Sequence, residues 1–345
     1  MDFASTVLVH RHVSSEDWRS AGLLYHSLNF FHQKKFGERV WKVSVDAGCT
    51  CPNRDGTLAA CGCVFCDPES FSPSRRQNLP SPSGRGAGGE GVEERSSLPF
   101  PIGDQIEAGI RRLSSRNRAR KYVAYFQPAT NTYGPIDRLR QVFQEALSHP
   151  EVVGLAIGTR PDCVGEDVLD LLEELAGRTW LVVEYGLQTV HDRTLDLLGR
   201  GHHSDAFSDA YQRSRRRGLN VGVHVILGLP GESRDDMLAT ARTLAKLDVH
   251  SIKPHNLYAV RNTVLADWVA AGRVQLPELH EYVGYLVDFL EQLPGRIVVE
   301  RLCGDAPPQY LVGPQWCLDK AAVHRAVEAE FRRRGTRQGA LVGSG

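Results

Sequence analysis

Six short runs of β-branched and apolar residues recur along the chain with helical patterns among them. They are VWKVSVDAG (residues 40–48), KYVAYFQ (121–127), VVGLAIGTR (152–160), TWLVVEYGLQ (179–188), NVGVHVILGLP (220–230) and VHSIKPH (249–255). The stretches IDRLRQVFQEAL, GEDVLDLLEELAG and SRDDMLATARTLAKL carry apolar residues at helical spacing. Continuous apolar strands alternating with helices indicate a parallel sheet covered by helices. Six units at a repeat of about 30 residues suit a barrel or part-barrel, and strand count alone leaves a doubly wound sheet open. In both architectures ligands gather at the C-terminal ends of the strands. The polar residues cluster there: Gln127, Thr159, Arg160, Glu184, Gln188, His224, Lys253 and His255.

The flanking segments read differently. DWRSAGLLYHSLNFFHQKKFG predicts a helix within an N-terminal segment of residues 1–39. The core spans residues 40–260 and is interrupted at 72–100 by a Pro-, Gly- and Ser-rich insertion expected to be flexible. Residues 261–345 form an α+β extension: an amphipathic helix in ELHEYVGYLVDFLEQL, a strand-like RIVVERL, a helix in DKAAVHRAVEAEFRRRG, and RQGALVGSG as a loose tail.

Lys+Arg and Asp+Glu balance at 41 each, so no overall field draws the chain to nucleic acid or anionic membrane. The first residues lack the layout of a secretory signal, and no apolar stretch is long enough to span a bilayer. The expectation is a cytoplasmic protein with reduced thiols, in which clustered cysteines serve metal or redox chemistry rather than disulfides.

That bears on CTCPNRDGTLAACGCVFC, where five of the eight cysteines fall within residues 49–66. Cys63 and Cys66 form a C-x2-C pair, and the turn-rich Pro52–Gly56 stretch can fold Cys51 back toward them. Two metal readings follow. A structural zinc could take four thiolates, for instance Cys49, Cys51, Cys63 and Cys66. An iron–sulfur cluster could be held by Cys51, Cys63 and Cys66 with one iron left open. Spacing alone does not choose between them.

The loop resembles that of the radical S-adenosylmethionine (SAM) superfamily, with C-x3-C-x2-C stretched to C-x11-C-x2-C. More narrowly, KVSVDAGCTCPNRDGT and CVFCDPESF look like the YhcC-like radical SAM proteins, relatives of the elongator catalytic subunit. The likeness continues through YVAYFQPATNTY, VGLAIGTRPDC, VEYGLQTVHDRTL, RGH, GVHVILGLPGES and IKPHNLYAVRNTVLADWVAAGRV, covering residues 38–275 outside the insertion. A shorter echo, LCGDAPPQYLVGPQWCLDK, follows. The resemblance implies a partial (β/α)6 TIM-type barrel that binds a [4Fe-4S] cluster and SAM. It places Cys51, Cys63 and Cys66 on the ligand positions. Cys49 and Cys61 fall where the family carries an aromatic residue and a glycine, so either serves at most as a fourth ligand in a resting state without SAM.

The implied activity is reductive cleavage of SAM to a 5′-deoxyadenosyl radical, with electrons from a donor of flavodoxin or ferredoxin type and an unidentified substrate. Glu184 lies where superfamily members contact SAM; a barrel salt bridge is the alternative. Gln188 and Arg160 carry the same ambiguity, Arg160 having Asp162 as its other partner. VHVILGLPGE resembles the fifth-strand motif near adenine, with Gly228 and Gly231 permitting close approach. His224 reads as a barrel-interior histidine, while Lys253 and His255 face the substrate side. Basic runs at 111–121, 213–217 and 331–335 make RNA a candidate substrate, provided they share a face. The rival class is a non-catalytic zinc- or iron–sulfur-binding module for RNA or protein.

Overall fold

The computed structural model describes residues 15–72, 101–114 and 119–342. The expected flexible insertion lies outside these residues from 73 onward. Ser72 is fully buried, and its hydroxyl donates to Asp46 Oδ2 at 2.9 Å.

All six expected strands form: β1 (Val40–Val45), β2 (Lys121–Phe126), β3 (Val152–Thr159), β4 (Trp180–Gln188), β5 (Asn220–Leu227) and β6 (Ser251–Asn256). They pair in sequence order and in parallel. Ala259–Val260 (β7) pairs antiparallel with Leu311–Gly313 (β9) in a separate ribbon. Val298–Val299 (β8) adds a seventh parallel strand beside β6, so RIVVERL from the extension joins the main sheet. Every residue of β4 is buried, which is why its sequence is largely apolar, with Glu184 and Gln188 as the exceptions.

The sheet curls into a half-barrel. Seven strands laid flat would hold β1 and β8 roughly 29 Å apart, at about 4.8 Å per step. Instead Lys42 on β1 reaches Glu300, just past β8, at 2.5 Å. Amphipathic helices such as Ile136–Ser148 and Glu166–Ala176 cover the outside with Leu139, Phe143, Leu169 and Leu172.

Two expectations about the flanks are corrected. The single N-terminal helix is two, Ser15–Ser20 and Leu28–Phe36. Gly22 turns the chain at φ 72°, and Ser27 caps the second helix by accepting from Phe30 N. The intervening segment is used for pairing: Ser27 bridges Val299 in parallel, shielding the edge of β8. The tail is not loose through residue 342. Gln338 is fully buried; its Oε1 accepts from His26 N at 2.8 Å, and its Nε2 donates to Pro294 O and Ile297 O.

Candidate active site

The cysteine loop leaves β1 at the C-terminal rim. Backbone bonds from Arg54 N to Cys51 O, Leu58 N to Pro52 O and Gly62 N to Asn53 O fold the long stretch between Cys51 and Cys63 back on itself. Asn53 Nδ2 then ties the loop to the segment after β4, donating to Gly199 O at 2.7 Å and Arg200 O at 2.9 Å. Gly201, at φ 68°, permits that contact, because a Cβ there would stand 2.6 Å from Asn53 Oδ1.

The folded loop brings Cys51, Cys63 and Cys66 to one cavity of about 370 Å³, together with Arg160, Glu184, Gln188 and His224. Cys49 is buried and Cys61 is exposed, and neither lines the cavity. Cys63 Sγ accepts from Arg200 Nη1 at 3.2 Å and Asn53 Nδ2 at 3.5 Å. Burial, followed by the neighbouring Cys63, pushes the Cys66 thiol up to about 12; Cys51 adds to the push and Arg54 opposes it. Thiols that disfavour one another's ionisation, flanked by N–H donors, suit a shared cationic centre. Among the described residues no three His, Cys, Asp or Glu are placed to hold a single metal ion. Arg160 Nη1, Arg200 Nε and Asn53 Oδ1 are buried there without a hydrogen-bond partner.

Two wall residues adopt left-handed backbone without being glycine, Ala129 at φ 61° and Gln188 at φ 75°. That conformation costs about 1–2 kcal/mol for an L-residue and persists where surrounding structure enforces it. Gln188 sits where β4 slips register against β5.

Below the cavity, a charge network fills the barrel. Glu184 is fully buried; it pairs with Lys42 at 2.5 Å, Lys253 at 2.9 Å and His224 at 2.7 Å. Glu300 takes Lys42 at 2.5 Å and the Ser251 hydroxyl at 2.6 Å. Lys253 Nζ also donates to Tyr125 OH at 2.6 Å. Burial alone would raise Glu184, but Lys253 and Lys42 outweigh it and hold the carboxyl well below its ordinary range. Burial pulls Lys253 down to about 8, against the attraction of Glu184.

The expected residues therefore separate. Glu184 and His224 line the cavity as members of the network, and Lys253 lies in the network beneath it. Arg160 lines the cavity too, with its fork on Asp162 at 2.9 and 2.7 Å. Gln188 faces the cavity without such a partner network. Gly228 does not join them: it turns the chain at φ 85° beside Pro277 and lines a different groove, with Gly231. Lys42, Glu300, Asn53 and Arg200 were not singled out by the sequence; Arg200 lies in the quoted RGH, the one signal that could have found it.

A second cavity of about 170 Å³ adjoins the first, sharing Phe65, Cys66, Gln127, Gln188 and His224. Tyr125, His255, Tyr258 and Arg301 extend it. The basic runs contribute to neither cavity, and most arginines of the two fully described runs are paired with carboxylates. Arg213 and Arg217 pair with Glu166, Arg215 with Asp248, Arg333 with Glu330, and Arg334 with Asp288. The run at 111–121 lies partly outside the described residues.

Comparison with known proteins agrees with this architecture. Residues 50–244 match the radical SAM superfamily and residues 249–333 the radical SAM C-terminal domain. Protein YtqA of Bacillus subtilis (strain 168) is 38% identical over 315 residues, covering 91% of this chain and 92% of the relative. Protein YhcC of Escherichia coli (strain K12) is 35% identical over 288 residues, covering 83% and 85%. The structure of Elp3 from the archaeon Methanocaldococcus infernus superposes with a TM-score of 0.60 at 18% identity, covering 87% of this chain and 64% of that one, a likeness of fold. The superfamily match spans more than half of the sequence, and the chain belongs to the radical SAM superfamily.

Proposed function

We propose that the chain is a radical SAM enzyme that carries a [4Fe-4S] cluster on Cys51, Cys63 and Cys66 and binds SAM beside it. The observation that carries this reading is the sharing of one cavity by these three thiols, from which Cys49 and Cys61 are left out. Three thiolates on a four-iron cluster leave one iron for SAM. When bound, the cluster and SAM supply the electron transfer and the carbon radical; the protein's part is positioning and exclusion of water.

That part can be assigned by residue. Arg200 and Asn53 donate to the Cys63 sulfur, which orients it and tunes the centre's potential. Arg160 is braced by Asp162 and keeps one unpartnered Nη for an anionic ligand group such as SAM's carboxylate. Glu184 serves the network first, since both its oxygens are engaged by Lys42, Lys253 and His224, so Gln188 is the better donor and acceptor for SAM hydroxyls. Residues 40–260 act as the cofactor-bearing core, and residues 261–345 complete its interior with Glu300 and Arg301. A reductant of flavodoxin or ferredoxin type feeds the cluster in a cytoplasmic setting. Among the described residues no helix is long and apolar enough to cross a membrane.

The zinc-module alternative fits less well. The four-thiolate zinc set would need Cys49 beside Cys51, Cys63 and Cys66, and Cys49 does not line their cavity. RNA draws little support from the two fully described arginine runs, most of whose charges are paired with carboxylates.

Anaerobic reconstitution with iron and sulfide, followed by metal analysis and reaction with dithionite and SAM, tests the proposal. About four irons per chain, broad absorbance near ~400 nm and formation of 5′-deoxyadenosine are expected. Colourless protein with stoichiometric zinc, or an intact cluster that forms no 5′-deoxyadenosine, would overturn it.

A further inference from the structure

We infer that the second cavity anchors a small-molecule substrate through an anionic group, a carboxylate or a phosphate, held by the guanidinium of Arg301; this deepens the radical SAM reading and rests on it. Arg301 follows Glu300 at the end of β8, and the two adjacent side chains are treated differently. Glu300 joins Lys42 and Ser251 in the balanced network, in which two lysines face two carboxylates. Arg160 has Asp162. Arg301 has no such counter-ion: among the described residues no carboxylate lies at ion-pair distance from it. Its Nη2 rests on the His255 ring at 2.5 Å from Nε2, and its Nε is buried without a hydrogen-bond partner.

Apart from Asp305, the cavity wall around it is neutral. Burial, and then Arg301 itself, holds His255 well below its usual range, so that ring stays uncharged. Burial raises Tyr258 to about 12, keeping its phenol protonated as a donor. Asp305 also lines the cavity but is engaged by Lys320 at 2.9 Å. A guanidinium turned to a partly dry pocket without a counter-ion is unfavourable until an anion arrives, and its planar fork matches carboxylate or phosphate oxygens.

Size and place narrow the ligand further. About 170 Å³ admits the head of a small molecule rather than a folded macromolecule. The cavity opens onto the thiol-lined one through Phe65, Cys66, Gln188 and His224. A substrate anchored on Arg301 thus directs its remaining atoms toward the cluster side.

Titration calorimetry on the anaerobically reconstituted full chain, with inorganic phosphate in one arm and acetate in the other, reads this directly. One anion is expected to bind once per chain, at least tenfold more weakly in R301Q, with R301K in between. R301K keeps the charge and reports on the site if R301Q fails to fold. R296Q, which alters an exposed arginine paired with Asp248, is expected to bind as the unmodified chain does. Preference for phosphate or for acetate assigns the group. No saturable uptake of either anion by the unmodified protein, or equal affinity in R301Q, overturns the site. Iron content of the same samples keeps the two ideas apart: a chain that takes up no iron contradicts the radical SAM reading, while the anion arms still decide on Arg301.

Discussion

The two ends of the half-barrel bury polar side chains for different purposes. At the closed end, the N-terminal helix Leu28–Phe36 inserts Phe31, His32 and Phe36 around Trp180, with His250 completing the stack at ring distances of 5.4 to 6.1 Å from the indole. Its histidines are made neutral: burial lowers both His32 and His250 to about 3. At the open end, polar groups keep their charge because partners are supplied, as Glu184 shows, and some atoms are left for a ligand. One end is packing that contains neutral imidazoles; the other is a system of paired charges. Neither burial nor a missing partner alone marks function here, since His32 Nε2 and His250 Nε2 are also buried without a partner; what sets the open end apart is that its buried groups are charged.

The sharpest break of this contrast is Cys63→Ala, which is expected to abolish cluster retention as measured by iron content after desalting. Retention of a full complement of iron would remove the ligand assignment. Next come Glu184→Ala and Trp180→Ala, each expected to lower stability by about 3–5 kcal/mol in denaturant titration, the first by stranding buried lysines and the second by leaving a cavity. The ends should then part company. Adding Lys253→Met to Glu184→Ala is expected to recover stability by removing the stranded charge, since Lys42 keeps Glu300 at 2.5 Å while Lys253 is left 3.8 Å from it; no recovery would mean the network is packing too.

A smaller effect follows from titration at the closed end. Both histidines have folded values far below the unfolded 6.5, so the unfolded chain takes up protons first as the pH falls. Their contribution is complete above pH 6.5 and is lost as the pH drops toward 3. Between pH 7 and pH 5 each accounts for a loss of about 2 kcal/mol. His250→Phe keeps a ring against Phe31 and Trp180 and is expected to flatten the acid-side decline by that amount in urea titrations. An unchanged slope would show that His250 is already solvated. Smallest is Cys61→Ala, which is expected to leave iron content unchanged, since this exposed thiol lies outside the cavity.

Much of the architecture was legible because strands buried on both faces must be written mostly in apolar residues, as β3 and β4 are apart from Thr159, Glu184 and Gln188. β1 was legible for a subtler reason. Its alternation was read as strand, but the polar positions do not face water. Val43 packs against the helix Ile102–Ser114, where a Cβ on Gly109 would meet its Cγ1, and Lys42 turns into the barrel to Glu184. A polar barrel interior and solvent look alike in a one-dimensional pattern. β8 escaped full recognition because it is two residues long and is defined by its neighbour, not by its own pattern. Local spacing left Cys49 in play and the resemblance singled out the three cysteines that share the cavity, while Arg200, Glu300 and Arg301 come into view only through contacts more than 40 residues away in sequence, such as Arg200 to Cys63 and Arg301 to His255. The docking of Gln338 against His26 was hidden for the same reason, since nothing in a polar C-terminal stretch announces a partner at the other end of the chain.

The account turns on three thiolates that leave one iron accessible. Electron paramagnetic resonance of the dithionite-reduced, reconstituted protein reads that iron directly, with and without excess SAM. The account predicts a cluster signal whose g-values shift when SAM is added, in the unmodified chain and in Cys61→Ala alike. A signal that is the same with and without SAM in both proteins would contradict it.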